Sequence, residues 1–211
     1  MRHWPLTALE LTTPDLTLRL PTDAELDELA QVAADGVHAD DAVCFPQPWA
    51  SGPPEERARN VLQNHWWARG DWARHNWRLL LAVFRGEQVI GQQNLSARDF
   101  AVTGEARTGF WVGQQFQGQG FGTQMRAAAL ALAFDGLGAR RVTSTAFAHN
   151  TASRAVSSKF GYRPNGVHRV AVGDVAVDAH EEVLEQADWP SYAPRTPVEI
   201  IGLPICMSLF R

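Results

Sequence analysis

The sequence predicts an α/β domain with a mixed, mostly antiparallel central sheet flanked by helices, and three observations carry that prediction. Leu79-Leu80-Leu81-Ala82-Val83-Phe84 and Val89-Ile90-Gly91-Gln92-Gln93-Asn94-Leu95 are apolar runs separated only by Arg85-Gly86-Glu87, the pattern of an antiparallel hairpin. A later strand, 106–112, runs straight into a glycine-rich segment that opens a helix. Beyond it, strand-like and helix-like periods alternate, an order that gives a mixed sheet.

In chain order, Leu16-Thr17-Leu18-Arg19-Leu20 alternates apolar and polar residues as a half-buried strand does. Pro21-Thr22-Asp23 then supplies a turn and a helix cap, and Leu26, Leu29, Ala30 and Ala33 fall on one helical face that ends about Gly36. Residues 37–55 hold Pro46, Pro48, Pro53, Pro54 and Gly52 and read as an irregular connection. A second helix follows over 55–68, with Trp49, Trp66, Trp67, Trp72 and Trp77 in or beside it. After the hairpin and the strand at 106–112 comes a helix over 123–135, stopped by Gly136 and Gly138. The remaining elements are a strand over 141–147, a short helix over 151–160 ended by Gly161, and strands at 167–171 and 175–184. The tail after Trp189 is apolar through Ile200, Ile201, Leu203, Ile205 and Leu209 without a clear period, and packs either on the domain or on a second subunit, so homo-oligomerisation stays open.

At 211 residues the chain fits one domain, with a core at about 10–187 and a C-terminal tail at 188–211. A formal charge of -4 argues against broad attraction to nucleic acid. Two cysteines, Cys44 and Cys206, do not make a disulfide framework, and no apolar run approaches membrane-spanning length. The first residues lack the pattern of a signal peptide, so the expectation is a cytoplasmic protein with neither membrane nor nucleic-acid partners.

The chemistry concentrates in Gln117-Gly118-Gln119-Gly120-Phe121-Gly122-Thr123, between a strand and a helix. Backbone N–H groups of such a loop converge on a helix N-terminus and favour an anionic phosphate. A Walker loop begun at Gly113 would place Gln119 and Gly120 where Lys and Ser/Thr are required. A dinucleotide fingerprint begun at Gly118 would need its third glycine at Thr123, and Gly122 comes one residue early.

Gln117 to Gly122 does fit Gln/Arg-x-x-Gly-x-Gly/Ala, and in this it resembles the acyl-CoA pyrophosphate loop of the GNAT superfamily of CoA-dependent N-acyltransferases. Asn150-Thr151-Ala152-Ser153, Lys159-Phe160-Gly161-Tyr162 and Gly109-Phe110-Trp111-Val112 are similar to motifs of the branch that acetylates ribosomal-protein N-termini. Arg2-His3-Trp4-Pro5-Leu6, Gly36-Val37-His38, Leu95-Ser96 with Asp99-Phe100, and Gly122-Thr123-Gln124-Met125-Arg126 further resemble a subgroup associated with succinyl-CoA. The resemblance covers about residues 10–187 and implies the GNAT fold, an acetyl-CoA or succinyl-CoA donor without a metal, and an amine acceptor, either a protein N-terminus, a lysine or a small amine.

The same resemblance implies the site residues. Amides along Trp111 and Val112 would hold the pantetheine arm, and amides of Gln117, Gly118, Gln119, Gly120, Phe121, Gly122 and Thr123 the pyrophosphate. Asn150 would position the cofactor, Ser153 would donate to the leaving sulfur, and Lys159, Arg154 or Arg126 would meet the 3′-phosphate. Asn150 reads equally as a plain helix cap, and the two roles are compatible. The related branch carries a carboxylate two residues before Gly109, where this chain has Arg107; Glu105 and Asp99 read as turn and cap residues, leaving a water relay or an unassigned group as base. His38, Phe45, Trp49 and the Trp66-Trp67 pair are candidates for the acceptor wall, though each tryptophan is equally a core or dimer residue. Gln92, Asn94, His38 and Arg107 would receive the carboxylate of a succinyl donor. A base-less chain is also consistent with a non-catalytic acyl-CoA sensor.

Overall fold

The cap at Pro21-Thr22-Asp23 forms as the sequence dictates. The Thr22 hydroxyl accepts from the Glu25 N–H at 3.3 Å and the Glu25 carboxylate accepts from the Thr22 N–H at 2.8 Å, a reciprocal capping box. Arg19 binds the same carboxylate through two nitrogens and holds the Glu25 carboxyl down at about 2, which ties the second strand to the first helix. The computed structural model of the chain describes residues 1–38, 49–191 and 196–211, so Phe45 and Cys44 lie outside the described residues.

The elements are β1 (Glu10–Thr12), β2 (Thr17–Arg19), α1 (Asp23–Asp35), α2 (Pro54–Gly70), β3 (Asn76–Arg85), β4 (Gln88–Arg98), α3 (Phe100–Thr103), β5 (Glu105–Val112), α4 (Phe121–Ala131), β6 (Arg141–Phe147), α5 (Thr151–Lys159), β7 (Arg163–Val172), β8 (Val175–Glu185), β9 (Glu199–Ile201) and α6 (Leu203–Cys206). They form one sheet in the order β7-β8-β6-β5-β4-β3-β2-β1-β9. Every neighbouring pair is antiparallel except β5 and β6. That parallel pair needs a crossover, and α4 supplies it. The helix ends in a wider turn over Leu132–Gly136, closed by the Leu137 N–H on the Leu132 carbonyl at 2.8 Å.

Residues paired across a ladder point to the same face. One face therefore carries Arg78, Gln92, Asn94, Arg107, Gly109 and Trp111 and meets α2, as the Arg78–Asn64 and Gln92–His65 hydrogen bonds demonstrate. The other carries Thr108 and Phe110 and meets α4, since a Cβ on Gly122 would stand 2.9 Å from the Phe110 ring.

The tail resolves in favour of the domain itself. β9 pairs with the free edge of β1, and Phe210 is buried 5.0 Å from Trp77, beside Trp72. Trp72 and Trp77 are therefore core residues, stacked at 5.9 Å. Trp66 and Trp67 lie off the inward stripe Val61, His65 and Ala68 of α2 and are 55% and 72% exposed, so they are surface residues of the helix, away from its packed face.

Candidate active site

β5 and β6 stay paired only from Glu105↔Arg141 to Thr108↔Ser144, although β5 runs on to Val112 and β6 to Phe147. The two strands part beyond that point and leave a fork whose apex is Thr108 and Ser144. The phase of the β4–β5 ladder decides which backbone groups face the gap. Gly113 N–H donates to the Ile90 carbonyl at 2.9 Å, so Trp111 and Gly109 turn their amides toward β4 while Phe110 and Val112 turn theirs into the fork. Of the two amides expected to hold the pantetheine arm, that of Val112 faces the gap and that of Trp111 faces β4, with Phe110 facing the gap instead, because hydrogen-bonding direction alternates along a strand.

At the mouth of the fork lies the loop. Gly118 and Gly120 have φ of 74° and 85°, conformations open chiefly to glycine, and nothing stands within 4 Å of where their Cβ atoms would be. No side chain caps α4, whose N-cap is Gly120, so the Phe121 and Gly122 amides carry no side-chain cap, while the Thr123 N–H donates to the Gly120 carbonyl at 3.0 Å. Gln117 has a different duty from its neighbours: its side-chain amide donates to the Val37 carbonyl at 2.8 Å and the Val112 carbonyl at 2.9 Å, pinning the loop to the end of β5. Lys159 reaches across from α5 and places its ammonium 3.2 Å from the Thr123 hydroxyl, adding a cation to the same helix start.

Asn150 caps α5 through its side-chain oxygen, which accepts the Ser153 N–H at 3.1 Å. This sets the α5 N-terminus, with Ser153 half-buried, beside the end of β6. Arg154 sits 4.0 Å from Glu182, whereas Arg126 is 1% exposed between the rings of Phe110 and Tyr162, each 5.3 Å away, and so is no surface cation for a 3′-phosphate.

On the other face, Arg107 meets Glu181 of β8 at 2.9 Å, and Asn165 donates to the second oxygen of that carboxylate at 3.3 Å. A carboxylate thus stands near the strand position where the sequence has an arginine, delivered from another strand. Asn94 lies against Gly109, whose Cβ would meet its amide at 3.1 Å. Gln92 is buried and its oxygen lies 2.8 Å from His65 Nε2, so it is spent inside the protein; burial first of all pushes the His65 imidazole down to about 4. Trp49 packs at 5.5 Å from Trp111, and His38 directly follows Val37, the residue that anchors Gln117. Burial pushes the Cys206 thiol up, which makes it a poor nucleophile.

Sequence reasoning missed the Glu181 partner, the His65–Gln92 pair and the burial of Arg126. Only the last had a signal, since Arg126 is the sole charge among the eleven residues of α4.

Among the described residues no helix is long and apolar enough to cross a membrane. The chain is similar to Mycobacterium smegmatis RimJ, whose structure is a complex with CoA-disulfide: 20% identity, 91% of this chain and 97% of that chain covered, TM-score 0.71. A GCN5-related N-acetyltransferase from Brucella melitensis matches at 20% identity over 92% and 88% of the two chains, TM-score 0.69. RimL, a ribosomal alpha-N-protein acetyltransferase with coenzyme A, matches at 19% identity over 82% and 94%, TM-score 0.62. These likenesses establish the fold. The acetyltransferase (GNAT) domain family matches residues 15–163, well over half the sequence, and this chain belongs to that family.

Proposed function

We propose that the chain transfers an acetyl group from acetyl-CoA to a primary amine by direct attack in the β5–β6 fork. The observation that carries the reading is the fork itself: two parallel strands that part at Thr108 and Ser144, with amides of Phe110 and Val112 inside and an uncapped glycine-bounded helix start at the mouth. The fit is chemical as well as spatial. A pantetheine arm carries amides that pair with strand-edge groups, and a pyrophosphate suits donors from Gly118 to Thr123 with Lys159 beside them.

The thioester supplies an activated acyl carbon. In our reading the chain's own groups bind and orient: Asn150 fixes the α5 start, Ser153 offers its hydroxyl to the departing sulfur, and Glu181 with Asn165 faces the side from which the amine enters. Arg107 is engaged by Glu181, so a succinyl carboxylate would have to displace that partner; this favours acetyl as the donor, with succinyl the competing proposal. We place the protein in the cytoplasm and take a protein N-terminus as the first acceptor to test.

A second reading, acyl-CoA binding without turnover, is favoured by Arg107 at the strand position of the expected carboxylate. One assay separates them. Free CoA should accumulate when acetyl-CoA is supplied with a panel of peptides and small amines; saturable acetyl-CoA binding without CoA release from any acceptor would favour the sensor, and faster release from succinyl-CoA would reverse the donor assignment.

A further inference from the structure

Arg126 is the only charged residue on α4, and its guanidinium is 1% exposed. Its Nε and Nη1 are sealed from solvent with no hydrogen-bond partner among the described residues. The rings of Phe110 and Tyr162 face it, each 5.3 Å from its carbon. Two such faces return about 2 kcal/mol or more apiece when desolvated. Several kcal/mol are lost by burying an ion without a bonded counter-charge, a cost of the same order as the two rings return, and Nε and Nη1 still lack acceptors.

Its position gives that deficit a meaning. Phe110 is the first residue beyond the fork apex on this face, and the Tyr162 hydroxyl lies 3.4 Å from the hydroxyl of Thr108, the last paired residue of β5. Gly122, one helical turn before Arg126, lets the Phe110 ring press against α4, because any Cβ there would stand 2.9 Å from it. The guanidinium is thus held over the closed end of the fork, opposite the phosphate-binding mouth. Ser157 on α5 and Glu182 on β8 add further sealed oxygens without partners on the same face.

We propose that Arg126 supplies the positive potential that stabilises the thiolate of departing CoA at the fork apex. The inference rests on the acyl-CoA reading of the fork. When the amine nitrogen bonds to the acyl carbon, the carbon–sulfur bond breaks and its electron pair leaves on sulfur; the amine's proton passes to solvent or to a base, and sulfur is later protonated from Ser153 or water. A fixed cation in a low-dielectric site is worth more at that moment than one in water, and it needs no reorganisation. Other charged or titratable groups on this face or against α4 are Lys159 and Arg154 of α5, Tyr162, Asp178, His180 and Glu182 of β8, Arg169 of β7, Arg85 over the Phe121 ring, Asp15 bonded to Gln124, and Asp135 bonded to Trp189, and none of them stands on α4 where Arg126 does.

The test uses CoA itself as probe. Wild type, Arg126→Met and Arg126→Lys are saturated with CoA, and the thiolate is followed by its ultraviolet absorbance across a pH titration. The bound thiol of the wild type should ionise at lower pH than free CoA, Arg126→Met should move it up by about one unit, and Arg126→Lys should keep most of the wild-type shift. Identical titration of the wild type and Arg126→Met overturns the proposal. Absence of CoA binding to the wild type overturns both it and the fork assignment. Because Met removes a sealed guanidinium that lacks acceptors at Nε and Nη1, Arg126→Met should unfold near or above the wild-type temperature, and a variant that cannot fold would contradict the unpaired state on which the argument stands.

Discussion

On the α1–α2 side of the sheet the polar groups answer one another: Arg107 meets Glu181, Gln92 meets His65, and Arg78 meets Asn64. On the α4–α5 side the unmatched groups gather around α4, although Arg57 Nε and Arg69 Nε of α2 and Thr145 Oγ1 are sealed without partners as well. The α4 start has no cap, Gly118 and Gly120 border open space, and Arg126 and Ser157 hold sealed atoms without partners. Native folds rarely leave buried polar groups unmatched. The difference teaches that the first face is the more nearly finished by the protein itself, whereas the second keeps an uncapped helix start and a sealed guanidinium, which our reading gives to acyl-CoA. Breaking a buried pair of the first face, such as His65–Gln92, should therefore register in stability, and changes to the second in cofactor affinity and turnover.

The largest effect expected on the finished face is its acid sensitivity. The folded protein holds His65 neutral, with its ionisation pushed to about 4 by burial. Below about pH 6.5 the unfolded chain binds a proton that the folded one refuses, so stability present above that pH is lost as pH falls toward 4. The loss is on the order of 3 kcal/mol. Denaturant unfolding at stepped pH should reveal this slope, and His65→Gln should flatten it; equal slopes would mean that His65 is not the group responsible.

On the unfinished face, Gly120→Val puts a branched side chain at φ 85° and into the space reserved for phosphate. The blocked approach to the loop amides should appear as a roughly 10- to 100-fold loss of CoA affinity, while the strain itself, about 1–3 kcal/mol, lowers stability in the free and bound forms alike. Calorimetric titration that finds unchanged affinity would remove the loop from the site. Ser153→Ala should lower kcat by about 100-fold or less and leave CoA affinity nearly unchanged. A wild-type rate would eliminate Ser153 as the donor to sulfur.

The smallest effect returns to the first face. The Arg107 and Glu181 side chains are 55% and 24% exposed, and such pairs contribute about 0–1 kcal/mol. Glu181→Gln should barely move the unfolding midpoint, while a raised KM for the amine would sharpen its assignment to the acceptor side.

Local signals made most of this legible. The capping box at Thr22, the hairpin turn at Gly86 and the stop at Gly161 are fixed by neighbours in sequence, and the two helices and the turn form within a residue or two of expectation, while the hairpin strands each run three residues further at their outer ends. β1 and β9 were missed because strands of three residues carry no period, and their pairing joins segments from opposite ends of the chain. The loop was readable from its glycines, but the exchange of Trp111 for Phe110 depends on ladder phase, which only the Gly113–Ile90 hydrogen bond sets. Gln92 looked available because a polar residue in a strand does not announce a buried histidine two elements earlier. Trp66 and Trp67 are exposed, which removes only the core reading of the pair, because aromatic content says nothing about which side of a helix faces inward.

The claim that the β5–β6 fork and its loop hold acyl-CoA is tested most directly by amide hydrogen exchange with and without acetyl-CoA. Protection should rise at Phe110, Val112 and Gly118 to Gly122, and remain unchanged along β1, β9 and α6. Binding that protects another region, or leaves these amides exchanging as before, would contradict the account.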